Sequence, residues 1–337
     1  RSARSKQAHT IVNKTIPAVL NSNARARKGI EAAELIVDPP PLRSSIDSHG
    51  AKAKHDAAPK LHHDRPNGPS SPSHVIPQEQ PDSNTKHDQT PAKPIHITLT
   101  TTDTLLAARH LHTQSLTTTR KPGRLAILNM ASPLRPGGGL LSGATSQEES
   151  LCRRTTLYPS LSDTFYRLPE IGGIYTPDVL VFHVDDDPND EHLDKADGKK
   201  EWFFVDVVSA GALRFPDVEQ IEDDEGRGGE KRYVEEKDRE MVRRKMVAVM
   251  RILKAKGVDR VVLGAWGCGA YGNPVGEVAR AWRRVLMPGR ERGGRERGGR
   301  EKRRDLETWE GMEVAFAVRD LGMARAFKKG FGEGLEV

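Results

Sequence analysis

Seven short apolar runs, at 35–37, 95–99, 125–128, 179–184, 202–208, 260–264 and 312–318, punctuate a chain otherwise built of polar and charged stretches. Each is rich in β-branched or aromatic residues and too short for a buried helix, so each reads as a strand. Helical spacing fills the gaps, over about 5–20, 103–111, 146–157, 234–256, 275–286 and 320–327. In the fourth of these, Met241, Val242, Met246, Val249, Met250 and Leu253 share one face, which reads as core. Strands alternating with helices predict a three-layer α/β/α domain with a mixed central sheet and an N-terminal helical extension. Apart from a short arginine-rich doublet there is no internal repeat, which argues against a solenoid.

Three tracts do not share this patterning. The stretch 49–93 is rich in Pro, His, Asp, Ser and Asn and poor in large apolar residues. It cannot offset its own ordering entropy and reads as a disordered insert. The acidic, glycine-bearing stretch 217–237 and the stretch 288–304, where Arg-Glu-Arg-Gly-Gly occurs twice, read as solvated loop expansions. Without them roughly 250 of the 337 residues remain, enough for one α/β domain with a sizeable core.

A net charge of +6 invites a nucleic-acid reading. The excess, however, sits in the arginine repeats and the chain ends, interleaved with Glu, and no aromatic residues alternate with it to stack on bases. Direct nucleic-acid binding is therefore not expected. Cys152 and Cys268 lie far apart with no metal-ligand spacing, and neither a long apolar span nor a signal pattern is present. The expectation is a monomer in a reduced intracellular compartment, cytoplasmic or nuclear, with no membrane contact.

Two loops carry the chemistry. In the first, a strand ending at Asn129 leads through a proline-flanked turn to Gly137-Gly138-Gly139, and seven residues later to Gln147-Glu148-Glu149 at a helix start. Glycines admit a ligand to the backbone, and two carboxylates within reach of the same ligand suit general acid–base cleavage of a glycosidic bond. Alone, a glycine triplet suits any flexible loop and Glu favours any first helical turn; the joint pattern is the informative part. Adjacent residues on a regular helix point about 100° apart, so both carboxylates can face one ligand only from the loop-to-helix junction.

The second loop runs from Gly264 to Pro274, between a strand and a helix, and contains Gly267-Cys268-Gly269-Ala270-Tyr271-Gly272. Exposed amides beside a helix start suit a diphosphate, although a tight β–α connection needing glycine for geometry alone would read the same way. It lacks the Gly-Lys-Ser/Thr of a nucleoside-triphosphate loop and the spacing of the dinucleotide fingerprint. Tyr271 either meets a ligand ring or covers the core. With no base nearby in sequence, Cys268 reads as a small loop residue rather than a nucleophile. The run Asp185-Asp186-Asp187 reads as a solvated acidic loop rather than a cation site.

Asn129-Met130-Ala131-Ser132, Pro136 to Gly139, Gln147-Glu148-Glu149, Leu151 to Arg154 and Leu157-Tyr158, together with 25–37, 175–179 with Phe182 and 264–274, occur in the order found in bacterial-type poly(ADP-ribose) glycohydrolases. The chain resembles that branch of the macrodomain fold across nearly its whole foldable part. The resemblance implies that Glu149 is the catalytic acid and base and that Glu148 orients the ribose hydroxyls. It further implies substrate contacts from Asn129, Gly137, Gly138, Gly139 and Gln147 on one side and from Gly267, Cys268, Gly269, Ala270 and Tyr271 on the other. Tyr271 stands where the family commonly has Phe. Met130, in place of an aromatic, and Pro133-Leu134-Arg135 depart from the pattern, as do the long inserts. On this basis 1–48 is the helical start of the catalytic domain, 49–93 an insert, and 94–337 the core with expansions at about 217–237 and 288–304.

The implied activity is exo-acting hydrolysis of ribose–ribose bonds, releasing ADP-ribose, without metal or cofactor, from poly(ADP-ribose) or ADP-ribosylated proteins; it would serve reversal of ADP-ribosylation and the DNA damage response. Rival readings are a non-catalytic ADP-ribose-binding domain, a hydrolase of mono-ADP-ribosylated side chains, and a nucleic-acid interaction protein driven by the Arg-Gly tracts. The Glu148–Glu149 pair speaks against the first, because binding alone does not need it.

Overall fold

The computed structural model describes residues 1–42, 94–118, 123–184, 201–222, 229–288 and 307–337. Strands β1 (Glu34–Val37), β2 (His96–Thr100), β3 (Arg124–Ala131), β4 (Gly172–Val181), β5 (Phe203–Gly211), β8 (Val258–Leu263) and β9 (Glu313–Ala317) form one seven-stranded sheet. Its order is β1-β4-β5-β3-β8-β9-β2. Strands β5, β3, β8, β9 and β2 are mutually parallel, whereas β4 and β1 each join antiparallel. The mixed central sheet expected from the strand pattern is present.

Side chains alternate along the strands between two cores, as the pleat requires. Ala126, Leu128, Val208, Val261, Leu263, Val314 and Phe316 face one layer, and Leu125, Ile127, Val207, Val262 and Ala315 face the other. On the first side lie α6 (Glu236–Ala255), α7 (Val275–Leu286) and α8 (Leu321–Phe331), contributing Met246, Val249, Trp282 and Phe327. Phe316 meets Phe327 with ring centres 4.8 Å apart. On the second side lie α4 (Thr104–Thr118) and α5 (Gln147–Arg154), contributing Leu105, Ala108, Leu151 and Cys152. Near-continuous apolar runs in β3, β5 and β8 thus reflect burial on both faces.

The N-terminal part is more broken than its pattern predicted. Helix α1 (Ser2–Thr10) passes through a π-helical turn (Ile11–Thr15) into α2 (Ile16–Asn21). Pro17, which has no N–H to donate, follows directly on that π-helical turn. A further helix, α3 (Ala24–Glu31), was not anticipated; Asn23 caps it by accepting the Ala26 amide at 3.0 Å. Ile11, Ile16, Val19 and Ala26 close over Leu180 and Phe182.

Two other expectations are corrected. Strand β4 begins at Gly172 rather than Val179, because the glycines lie where neighbouring strands approach: a Cβ on Gly172 would stand 2.1 Å from Ile36 O, and one on Gly173 would stand 2.5 Å from Ser209 O. The stretch read as a loop expansion at 217–237 has an ordered base. Strands β6 (Val218–Gln220) and β7 (Lys231–Tyr233) pair antiparallel, and buried Tyr233 donates from its hydroxyl to Asn273 Oδ1 at 2.8 Å. Its centre, 223–228, lies outside the described residues, as do the insert at 49–93 and most of the expansion at 288–304. Among the described residues no helix is long and apolar enough to cross a membrane.

Candidate active site

Three loops leave the carboxyl ends of three adjacent parallel strands: 132–146 after β3, 212–217 after β5 and 264–274 after β8. Ligands of open α/β sheets gather at such ends.

The first loop carries the glycine triplet and delivers the chain to α5. Gly137 and Gly138 adopt φ of +62° and +56°, a region costly for any residue with a Cβ. A Cβ on Gly138 would lie 2.7 Å from both Glu148 Oε2 and Glu149 Oε1. Both carboxylates therefore converge on the same glycine. They do so from the first turn of α5, the loop-to-helix junction that convergence requires.

Each carboxylate is held separately. Glu148 is 3% exposed and accepts from the Ser132 amide at 2.8 Å, with Asn129 Nδ2 at 3.5 Å. Burial pushes its carboxyl up to about 8; the Ser132 amide opposes this and the charge of Glu149 adds to it. Glu149 is 5% exposed; its Oε1 accepts from the Gly139 amide at 2.7 Å, while its Oε2 is buried with no hydrogen-bond partner among the described residues. A carboxyl fixed by one oxygen and open at the other is suited to moving a proton.

Asn129 closes the floor of the site near the end of β3, fully buried, with Nδ2 donating to Ser209 Oγ at 3.0 Å and Oδ1 without a partner among the described residues. Gln147 faces the other way. Its Oε1 accepts from the Met130 amide at 2.9 Å, and its Nε2 donates to Leu128 O at 2.8 Å and Thr104 Oγ1 at 3.2 Å. Both amide protons are thereby committed to the protein, and Gln147 ties α5 to β3 on either side of Asn129.

The loop 264–274 is shaped by Asn273, whose Nδ2 donates to Leu213 O at 2.8 Å and Gly267 O at 3.1 Å. Gly267 (φ +76°) packs against that amide, so its lack of a Cβ is a packing requirement. Gly269 and Gly272 face open space. The amides of Gly267, Gly269, Ala270 and Tyr271 donate to no group among the described residues, an arrangement that suits an anion. The Cys268 thiol is pushed up to about 12 by burial and remains protonated at neutral pH, in keeping with a filler rather than a nucleophile.

Tyr271 joins the two walls. Its ring meets Phe215 edge-on with centres 5.8 Å apart, and its backbone carbonyl accepts from the Phe215 amide at 3.1 Å. The Arg214 guanidinium lies 5.3 Å from the Phe215 centre and 5.6 Å from the Tyr271 centre. Neither Arg214 nor Phe215 was singled out from sequence, nor were Ser132 as the partner of Glu148 and Ser209 as the partner of Asn129. Ser209 sits in an apolar strand, and a backbone amide such as that of Ser132 leaves no mark on side-chain patterns. Among the described residues no group of three or more His, Cys, Asp or Glu side chains is arranged to hold a metal ion; the run Asp185 to Asp187 lies outside them.

Residues 65–184 match the family model described as microbial-type PARG, catalytic domain. No curated protein matches the chain. Among solved structures, a point mutant of poly(ADP-ribose) glycohydrolase from Thermomonospora curvata is 27% identical over 70% of this chain and 79% of its own, with a TM-score of 0.50. The Thermomonospora curvata enzyme bound to the inhibitor ADP-HPD is 22% identical over 98% and 99% of the two chains, TM-score 0.59. The Deinococcus radiodurans enzyme in complex with ADP-ribose is 24% identical over 71% and 85%, TM-score 0.50. The segment that holds the glycine triplet and both glutamates thus matches the model of the microbial-type PARG catalytic domain, and the chain shares the fold of the Thermomonospora curvata enzyme.

Proposed function

We propose that this protein hydrolyses the ribose–ribose O-glycosidic bond of poly(ADP-ribose) and releases ADP-ribose, with Glu149 as acid and then base. The observation that carries the assignment is the asymmetric hold on Glu149, one oxygen on the Gly139 amide and the other buried without a partner among the described residues.

Cleavage of a ribosyl bond passes through an oxocarbenium-like transition state, so the departing oxygen needs a proton and the anomeric carbon needs a nucleophile. On this reading the Glu149 carboxyl gives its proton to the departing ribose oxygen as the C–O bond breaks. The resulting carboxylate then takes a proton from a water molecule, whose oxygen bonds to the anomeric carbon. One water is consumed and Glu149 ends reprotonated. The substrate's own diphosphate, lying between the glycine triplet and the amides of 267–271, offsets the positive charge developing on the sugar.

Glu148 holds its proton near neutrality and orients a ribose hydroxyl. Asn129 Oδ1, buried and without a partner among the described residues, accepts from another. Tyr271 packs against that ribose. Gly137, Gly138 and Gly139 line the substrate with backbone, whereas Gln147 acts behind the site. ADP-ribose as product ligand is supported by its presence in the related Deinococcus radiodurans structure. Release of terminal units by a monomer inside the cell is the accompanying proposal.

Sizing the products of defined poly(ADP-ribose) tests this reading. The expected result is ADP-ribose from the outset with gradual shortening of the polymer. Early appearance of mid-length fragments would overturn terminal release. Activity confined to mono-ADP-ribosylated proteins would move the substrate to side-chain linkages, and binding without any cleavage would reduce the protein to a reader.

A further inference from the structure

We infer that α1 acts on the catalytic loop across the fold, with Arg4 and Ser5 as positioning residues for Glu149; the inference rests on the catalytic role proposed above. The chain between the glycine triplet and the acid pair makes a 3-10 turn at Leu140–Ser142 and reverses at Gly143 (φ +73°). The carbonyls ending such a turn have no donors within it. Here three successive ones are met by α1: Ser5 Oγ donates to Leu141 O at 2.6 Å, Arg1 Nε to Ser142 O at 3.0 Å and Arg4 Nε to Gly143 O at 3.3 Å. A Cβ on Gly143 would stand 2.5 Å from Arg1 O and 3.1 Å from Ser5 N, so the reversal lies directly on the α1 backbone. Buried Ala8 seats the same helix in the core shared with α4 and α5.

The other face of the turn belongs to the site. Gly139 caps it, and the Gly139 amide holds Glu149 Oε1; the Gly139 carbonyl accepts from the Ala144 amide at 3.1 Å and from Ser142 Oγ at 2.9 Å. Arg153 Nη1 in turn donates to Ala144 O at 3.1 Å. Residues 139–144 are therefore gripped by α5 on one side and by α1 on the other. Release of the α1 grip frees the turn to move, and with it the one donor that orients the catalytic acid. The contacts of Arg1, Arg4 and Ser5 go to the carbonyls of Ser142, Gly143 and Leu141, not to Glu148, Glu149 or Asn129. The contribution of α1 is to turnover, not to affinity.

The test compares wild type, the Arg4→Ala/Ser5→Ala double variant and Ser5→Thr. Because small misplacements of reacting groups cost up to about 100-fold in rate, the double variant is expected to lose about tenfold or more in kcat. Its calorimetric affinity for ADP-ribose should stay within about threefold of wild type, and Ser5→Thr, which keeps the hydroxyl, should turn over like wild type. Amide hydrogen exchange at Leu140, Ser142, Gly143 and Ala144 should accelerate in the double variant alone. Unchanged kcat with unchanged exchange would overturn the inference, as would a fall in kcat matched by a fall in the folded fraction. Exchange is read without turnover, so a wild-type protein that cleaves nothing would refute the proposed function while leaving the α1 contact separately tested.

Discussion

At the scale of single residues, the site consists of two carboxyls crowded onto backbone that has no side chain to spare. Gly138→Ala asks an L residue to hold φ near +56° with its methyl 2.7 Å from both acids. A left-handed conformation costs about 1–2 kcal/mol, and relief of the clash must move at least one glutamate. The variant should fold with a modestly lowered melting temperature and lose turnover, checked by thermal unfolding beside an ADP-ribose release assay. Glu148 supplies a second prediction. Its carboxyl lies near 8 in the folded protein against 4.5 when free, so the folded state holds the extra proton between those values. Stability is then greatest below about pH 4.5 as far as this group is concerned, and its contribution is lost as pH rises through about 8. Urea titrations across that range should show a downward slope that Glu148→Gln removes. The alkaline limb of kcat should fall in the same region, as Glu148 loses its proton.

At the scale of elements, α5 is the piece that makes the pair possible. Gln147 ties its first turn to β3, and Arg154 ties its last turn inward: the residue is 1% exposed, and its guanidinium donates to Val184 O at 2.6 Å, to Ser150 Oγ at 2.6 Å and to Asp103 Oδ2 at 3.4 Å. Breaking a buried pair by removing one partner commonly costs about 3–5 kcal/mol. Arg154→Ala is therefore expected to lower the urea midpoint strongly, whereas Glu149→Gln, which keeps the size and shape of the side chain, is not. Much of this was legible in sequence: the strand–glycine–helix order, the junction position of the acids, and α7, which runs over 275–286 as its spacing indicates. What escaped was set by tertiary contact. Helix α3 hid behind Arg25 to Lys28 and Gly29, whose absent side chain lets Pro177 O approach to where a Cβ would stand 2.3 Å away. Helix α4 runs on to Thr118 past its apolar stretch, through residues whose hydroxyls, on Thr113, Ser115 and Thr117, bond back to Arg109 O, His112 O and Gln114 O. The bonds of Gln147 to main chain on both sides of Asn129 likewise have no signature in sequence.

At the scale of the whole molecule, the parallel order β5-β3-β8 brings the acid loop, the aromatic rim and the glycine-rich loop to one edge of the sheet. The sequence order of those loops says nothing of their adjacency; only the crossovers do. Tyr233 illustrates the same limit, since its burial against Asn273 anchors a hairpin inside a stretch whose charge reads as solvent. A site gathered from three loops should be stabilised as a unit by its ligand. ADP-ribose at 100 times its dissociation constant contributes about 2.7 kcal/mol to the folded state. The resulting upward shift in melting temperature should be equal in wild type and Glu149→Gln. The most direct test of the account combines that binding with chemistry: release of ADP-ribose from purified poly(ADP-ribose) by Glu149→Gln beside wild type, with ADP-ribose affinity measured by calorimetry on the same preparations. The account predicts unchanged affinity and a loss of about 100-fold or more in release, the scale of a missing general acid; release at the wild-type rate by Glu149→Gln would contradict it.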